Sequence, residues 1–150
     1  RAELASDDYR IGRSEGSIGR QLARLDRHED AVRRFDQAIS ILSTKGADSD
    51  ELLKLQISRA RSVFALRRGF EETVRILEEC AAAQESIAEQ RGTPGAWRAL
   101  EETCLLLGDI HAERGHEQPR AEALSRARMA GERASLAATS TSGGFPPADA

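Results

Sequence analysis

The chain has 150 residues, with 25 acidic and 22 basic side chains and a formal charge of −3, mixed in sign along its length. That pattern excludes a basic nucleic-acid-binding stripe, and the longest apolar run, Cys104 to Leu107, is far too short to cross a membrane. Alanine, leucine, glutamate and arginine dominate, aromatics are only 4%, and strand-forming residues are scarce, so the chain reads as one all-α domain.

Residues 1–11 read as an N-terminal flank or the end of a preceding repeat, and the first residue, Arg1, is consistent with an excised piece. Gly12 and Gly16 each weaken a helix by about 1 kcal/mol relative to alanine, so a break is expected there, with Ser14 capping a fresh start. A hairpin over residues 12–43 follows. Ile18, Leu22 and Leu25 share one face of its first helix, and Gly19 admits the close approach of a second helix. Ala31, Phe35, Ala38, Ile39 and Leu42 form the apolar stripe of the second. One hairpin cannot bury both of its faces alone.

A polar cluster around Gly46 ends this unit. The second hairpin, residues 48–90, opens on Asp48 and Asp50, whose carboxylates suit a helix N-terminus. Its first helix is apolar on two sides, with Leu53, Ile57, Ala60 and Phe64 on one and Leu52, Leu55, Val63 and Leu66 elsewhere, as expected of a helix between neighbours. Phe64 is expected to be fully buried. Gly92-Thr93-Pro94-Gly95 breaks the chain, and a third hairpin, residues 95–138, carries Trp97, Leu100, Cys104, Leu107 and His111 on one face. Its second helix is expected from about Arg120, after a turn widened around Pro119, and residues 139–150 read as a disordered tail.

The candidates for chemistry are weak. Gly12-x-x-x-Gly16-x-x-Gly19 lacks the Gly-Lys-Ser/Thr ending of a phosphate loop and follows no strand. His111 and His116 are poorly spaced for a metal site, and no third ligand converges on them; no metal or other cofactor is expected. His28, in a turn, reads as solvated. Adjacent acids such as Glu78-Glu79 diverge on a helix, and no nucleophile, base and orienting group can be placed together, so the chain is not read as an enzyme. Cys80 and Cys104 lie on apolar stripes and read as small buried thiols in a reducing, cytoplasmic setting.

The hairpins repeat. A shift of 42 carries Ile11, Ile18 and Leu22 onto Leu53, Ala60 and Phe64, and Ala31, Phe35 and Ala38 onto Thr73, Leu77 and Cys80. In the third unit the corresponding second-helix trio is Ala123, Ala127 and Ala130. Leu107-Gly108-Asp109-Ile110-His111-Ala112-Glu113-Arg114-Gly115 resembles the Leu-Gly-x-x-Tyr-x-x-x-Gly pattern of the tetratricopeptide repeat (TPR) family, and Ala31-x-x-x-Phe35-x-x-Ala38 resembles its second-helix half. Glu15, Asp26, Arg61 and Arg68 depart from the pattern, the last with Gly69 one place later.

The resemblance covers residues 12–138 and implies antiparallel helical hairpins stacked as a right-handed superhelix, an α-solenoid. It implies a non-catalytic module that holds a protein or peptide segment in a concave groove lined by the first helix of each hairpin. Carried onto this chain, the groove residues are Arg13, Gly16, Arg20 and Arg24 from the first unit. Leu55, Ser58, Arg59 and Ser62 follow from the second, and Glu102, Leu105, Asp109 and Glu113 from the third. Arginines would gather at one end and acids at the other. The alternative is a structural spacer or oligomerisation segment, homo-oligomers included, of a larger regulatory or scaffold protein.

Overall fold

A computed structural model describes the backbone of residues 2–46 and 49–142, and the described residues are all-helical. The helices are α1 (Ala2–Arg24), α2 (His28–Thr44), α3 (Ser49–Ala65), α4 (Phe70–Arg91), α5 (Pro94–Glu113) and α6 (Glu117–Ser142). They divide into two compact units, Arg1–Leu77 and Glu78–Ala150, with the division inside α4.

In the first unit α1 and α2 run antiparallel. Gly19 meets Phe35 near one end and Gly12 meets Leu42 near the other, while Glu15 accepts from Arg34 between them at 2.9 Å. The next pair, α2 and α3, is also antiparallel: His28 faces Ser62 and Asp36 faces Arg59. That leaves α1 and α3 parallel, in contact through Gly16 and Leu55 and through Arg13 and Glu51. The core is Ala31, Phe35, Ala38, Leu42 and Leu55, flanked by Tyr9, Leu22, Ala23, Ile39 and Leu52.

The expected break at Gly12 and Gly16 does not occur; α1 is continuous through residues 2–24. Tertiary packing overrides the propensity cost. A Cβ at Gly12 would lie 2.8 Å from Leu42 Cδ2, one at Gly16 2.9 Å from Leu55 Cδ2, and one at Gly19 2.8 Å from Phe35 ring carbons. The glycine stripe is the buried face of α1. Conversely, the aliphatic stripe stays at the surface, with Ile11 51%, Ile18 41% and Leu25 68% exposed.

Two of the hairpin turns follow one recipe. After α1, Asp26 N–H donates to Ala23 and Arg27 N–H to Leu22; after α5, Gly115 N–H donates to Ala112 and His116 N–H to His111. This is the Schellman arrangement, which needs a left-handed residue just past the helix. Asp26 takes it at φ 60° and Gly115 at φ 72°. In the turn between α3 and α4 the corresponding residue is Arg67 at φ 58°, not Arg68 as the sequence suggested.

Phe64 is only half-buried, contrary to expectation. It sits in the last turn of α3, where the Phe70 ring meets it edge-on at 6.0 Å and the Arg67 guanidinium lies 5.3 Å from its centroid.

In the second unit Ala81 and Ala88 of α4 pack with Trp97, Leu100 and Cys104 of α5 and Ala127, Ala130 and Ala134 of α6. Thr93 caps α5, its side chain accepting from Ala96 N–H, with Pro94 in the first turn. α6 starts at Glu117, so the turn holds no extra residues: Pro119 falls in the first helical turn, where its missing N–H costs nothing. α6 then continues through 142, and residues 143–150 of the expected tail lie outside the described residues. Arg126 of α6 donates to Glu78 of α4 at 2.8 Å.

Candidate binding cleft

Parallel packing of α1 and α3 leaves a cleft of about 470 Å³ in the first unit, lined by one flank of each helix. From α1 come Tyr9, Arg13, Gly16, Ser17 and Arg20, and from α3 Asp50, Glu51, Lys54 and Leu55, with Leu42 of α2 beneath. Gly16 shapes it: with no side chain there, Leu55, only 2% exposed, packs straight onto the α1 backbone and closes the floor.

One wall is tied shut. Tyr9 Oη donates to Glu51 Oε2 at 2.6 Å, and Arg13 Nε reaches Glu51 Oε1 at 2.9 Å. The Arg13 guanidinium also lies 5.7 Å from the Tyr9 ring centroid. Arg13 therefore has its charge matched within the protein. Arg20 and Lys54 differ: both are exposed at the cleft, and neither makes an ion pair among the described residues.

Of the groove residues inferred from sequence, the cleft brings together Arg13, Gly16, Arg20 and Leu55. The others of that unit lie elsewhere. Arg24 is exposed at the end of α1. Arg59 is held by Asp36 of α2 at 2.5 Å. Ser62 is buried and bonds His28 Nδ1 at 3.2 Å, so His28 is part of the α2–α3 contact and not merely solvated. Glu102, Leu105, Asp109 and Glu113 are all exposed along one face of α5, in the second unit.

Tyr9, Ser17, Asp50, Glu51 and Lys54 escaped the sequence reading. The repeat period itself carried the signal. Tyr9 and Glu51 are 42 positions apart, the shift that superposes the first two hairpins, so they share a phase on parallel helices.

The reactive side chains are held away from chemistry. Burial, then the neighbouring Glu79, pushes the Cys80 thiol up to about 11, and burial raises Cys104 as well. Both thus stay protonated and non-nucleophilic near neutrality. Burial, then nearby His116, lowers the pKa of His111, whose Nδ1 lacks a hydrogen-bond partner among the described residues. Among the described residues no group of three or more His, Cys, Asp or Glu could hold a metal ion.

The chain matches no protein-family model, no curated protein and no solved structure. Among the described residues no helix is long and apolar enough to cross a membrane.

Proposed function

We propose that this chain is a TPR-like binding module and that the α1–α3 cleft holds a short acidic segment of a partner protein. The observation that carries the reading is the pairing state of the cleft cations. Arg13 is neutralised by Glu51, whereas Arg20 of α1 and Lys54 of α3, both lining the cleft, stand without an ion-pair partner among the described residues. A carboxylate between them gains two charge-assisted contacts, and arginine's planar fork suits that group. The volume, about 470 Å³, accommodates a few side chains.

Support for the TPR-like reading comes from three features. The first helices α1 and α3, related by the 42-residue shift, run parallel, with α2 packed antiparallel to both. The second-helix trios Ala31/Phe35/Ala38, Thr73/Leu77/Cys80 and Ala123/Ala127/Ala130 are all buried. The turns after α1 and α5 share the Schellman bonds.

Selection of the full chain against a display library of short peptides tests the reading. It should enrich segments rich in carboxylates. Enrichment of basic segments, or none at all, would remove the cleft as an acidic-peptide site.

A further inference from the structure

The α1–α3 cleft holds its cations in two different states. Arg20 and Lys54 make no ion pair among the described residues, whereas Arg13 Nε reaches Glu51 Oε1 at 2.9 Å. Glu51 is engaged through both of its oxygens, since Tyr9 Oη donates to Oε2 at 2.6 Å. The two members of the ion pair differ in exposure. The Glu51 side chain is only 22% exposed, while that of Arg13 is 64% exposed where it lines the cleft. No other carboxylate among the described residues contacts Arg13. Glu51 thus approaches the guanidinium on its Nε side, and the Arg13 side chain stays mostly open to solvent.

The acid belongs where it stands. Both carboxylates of the cleft, Asp50 and Glu51, lie in the first turn of α3, where the helix dipole favours negative charge. The consequence for the cleft is a fixed carboxylate against one of its cations.

Resting on the acidic-segment reading of the cleft, we infer that Glu51 is an internal competitor for that segment and that Arg13 is the cation it withholds. An incoming carboxylate offers Arg13 the same chemistry as Glu51 does, two oxygens for a planar fork of donors. Glu51 is already in place and loses no translational freedom on pairing. Arg13 therefore stays with it, and the segment is left Arg20 and Lys54. The charge of Glu51 also opposes another acid entering the cleft, a like-charge contact that weakens association. Neutralising Glu51 removes both effects at once.

Glu51→Gln isolates the charge. The amide oxygen of glutamine can still accept from Tyr9, but its NH2 group only donates and cannot hold Arg13. Titration of a labelled hexaglutamate peptide with the full chain, read by fluorescence anisotropy, tests the inference. Glu51→Gln should bind at least about threefold tighter than the wild type, and its affinity should fall more steeply as salt is added. Adding Arg13→Gln to it should remove the gain. That double variant lacks the α1–α3 ion pair just as Glu51→Gln does, so a gain caused by mere loosening of the cleft would persist in it. Glu51→Gln binding no tighter than the wild type overturns the inference, and so does a gain that survives the loss of Arg13. The underlying reading fails in a different way. Hexaglutamate that no variant binds, or that binds equally well after Arg20→Glu with Lys54→Glu, removes the cleft as an acidic-segment site and the competition with it.

Discussion

Replacing Gly19 with alanine adds one methyl group to the middle of a helix, a change that ordinarily stabilises by about 1 kcal/mol. Here the sign should reverse. The new Cβ would lie 2.8 Å from two carbons of the Phe35 ring, whereas carbon contacts are optimal at about 3.5–4.0 Å. Phe35 is 0% exposed and part of the unit 1 core with Ala31 and Ala38, so the ring has no room to retreat. Overpacking of this kind costs about 1–3 kcal/mol. Set against the propensity gain, the net effect is a destabilisation of about 1 kcal/mol. For a unit of this size that lowers the melting temperature by roughly 4–8 °C. Gly95 is the control, since a Cβ there meets nothing within 4 Å among the described residues; Gly95→Ala should be neutral or stabilising. Circular dichroism during urea and thermal unfolding reads both variants. If Gly19→Ala stabilises the protein as Gly95→Ala does, α1 does not pack on its glycines and the arrangement of unit 1 is wrong.

Other consequences are open to measurement. Phe35→Ala should cost about 3–5 kcal/mol, whereas half-buried Phe64→Ala should cost only about 1–2 kcal/mol, a gap that denaturant titration resolves. Asp26→Gly should stabilise by about 1 kcal/mol in dilute solution, because it relieves a left-handed backbone at a non-glycine residue; no change, or a loss, would deny that conformation. Since the pKa of His111 is lowered in the folded state, the unfolded chain takes up the proton first as pH falls below the ordinary value of 6.5. Its contribution is therefore intact above that pH and is lost below it. Unfolding free energies measured between about pH 7.5 and 5 should fall less steeply in His111→Leu, and an unchanged slope would contradict the assignment.

The second helices were the most legible part of the fold. Small residues around a larger one, as in Ala31, Phe35 and Ala38, mark a buried face at helical spacing, and the same phase recurs in α4 and α6. Features set by tertiary contact were not legible. Gly12 and Gly16 look locally like a helix break, and only the Leu42 and Leu55 side chains packed against them turn the same residues into an interface. Pro119 looked like part of a widened turn because its place in the first turn of α6 depends on where the Schellman bonds end α5. In the cleft, Arg13, Arg20 and Leu55 could be named from helix phase, but the pairing that separates Arg13 from Arg20 could not. Arg59 shows the same gap: its phase is right for a groove, and Asp36 of the neighbouring helix claims it.

The central claim is that Arg20 and Lys54 recognise an acidic segment across the α1–α3 cleft. Fluorescence anisotropy with one labelled acidic peptide, titrated with the full chain, tests it most directly. The wild type should bind, with affinity falling as salt screens the contact. The variant carrying Arg20→Glu and Lys54→Glu should lose at least about tenfold in affinity with its helicity intact, since exposed charges contribute little to stability. Arg59→Glu, outside the cleft, should bind as the wild type does. Equal affinity in the wild type and the doubly reversed variant would contradict the claim.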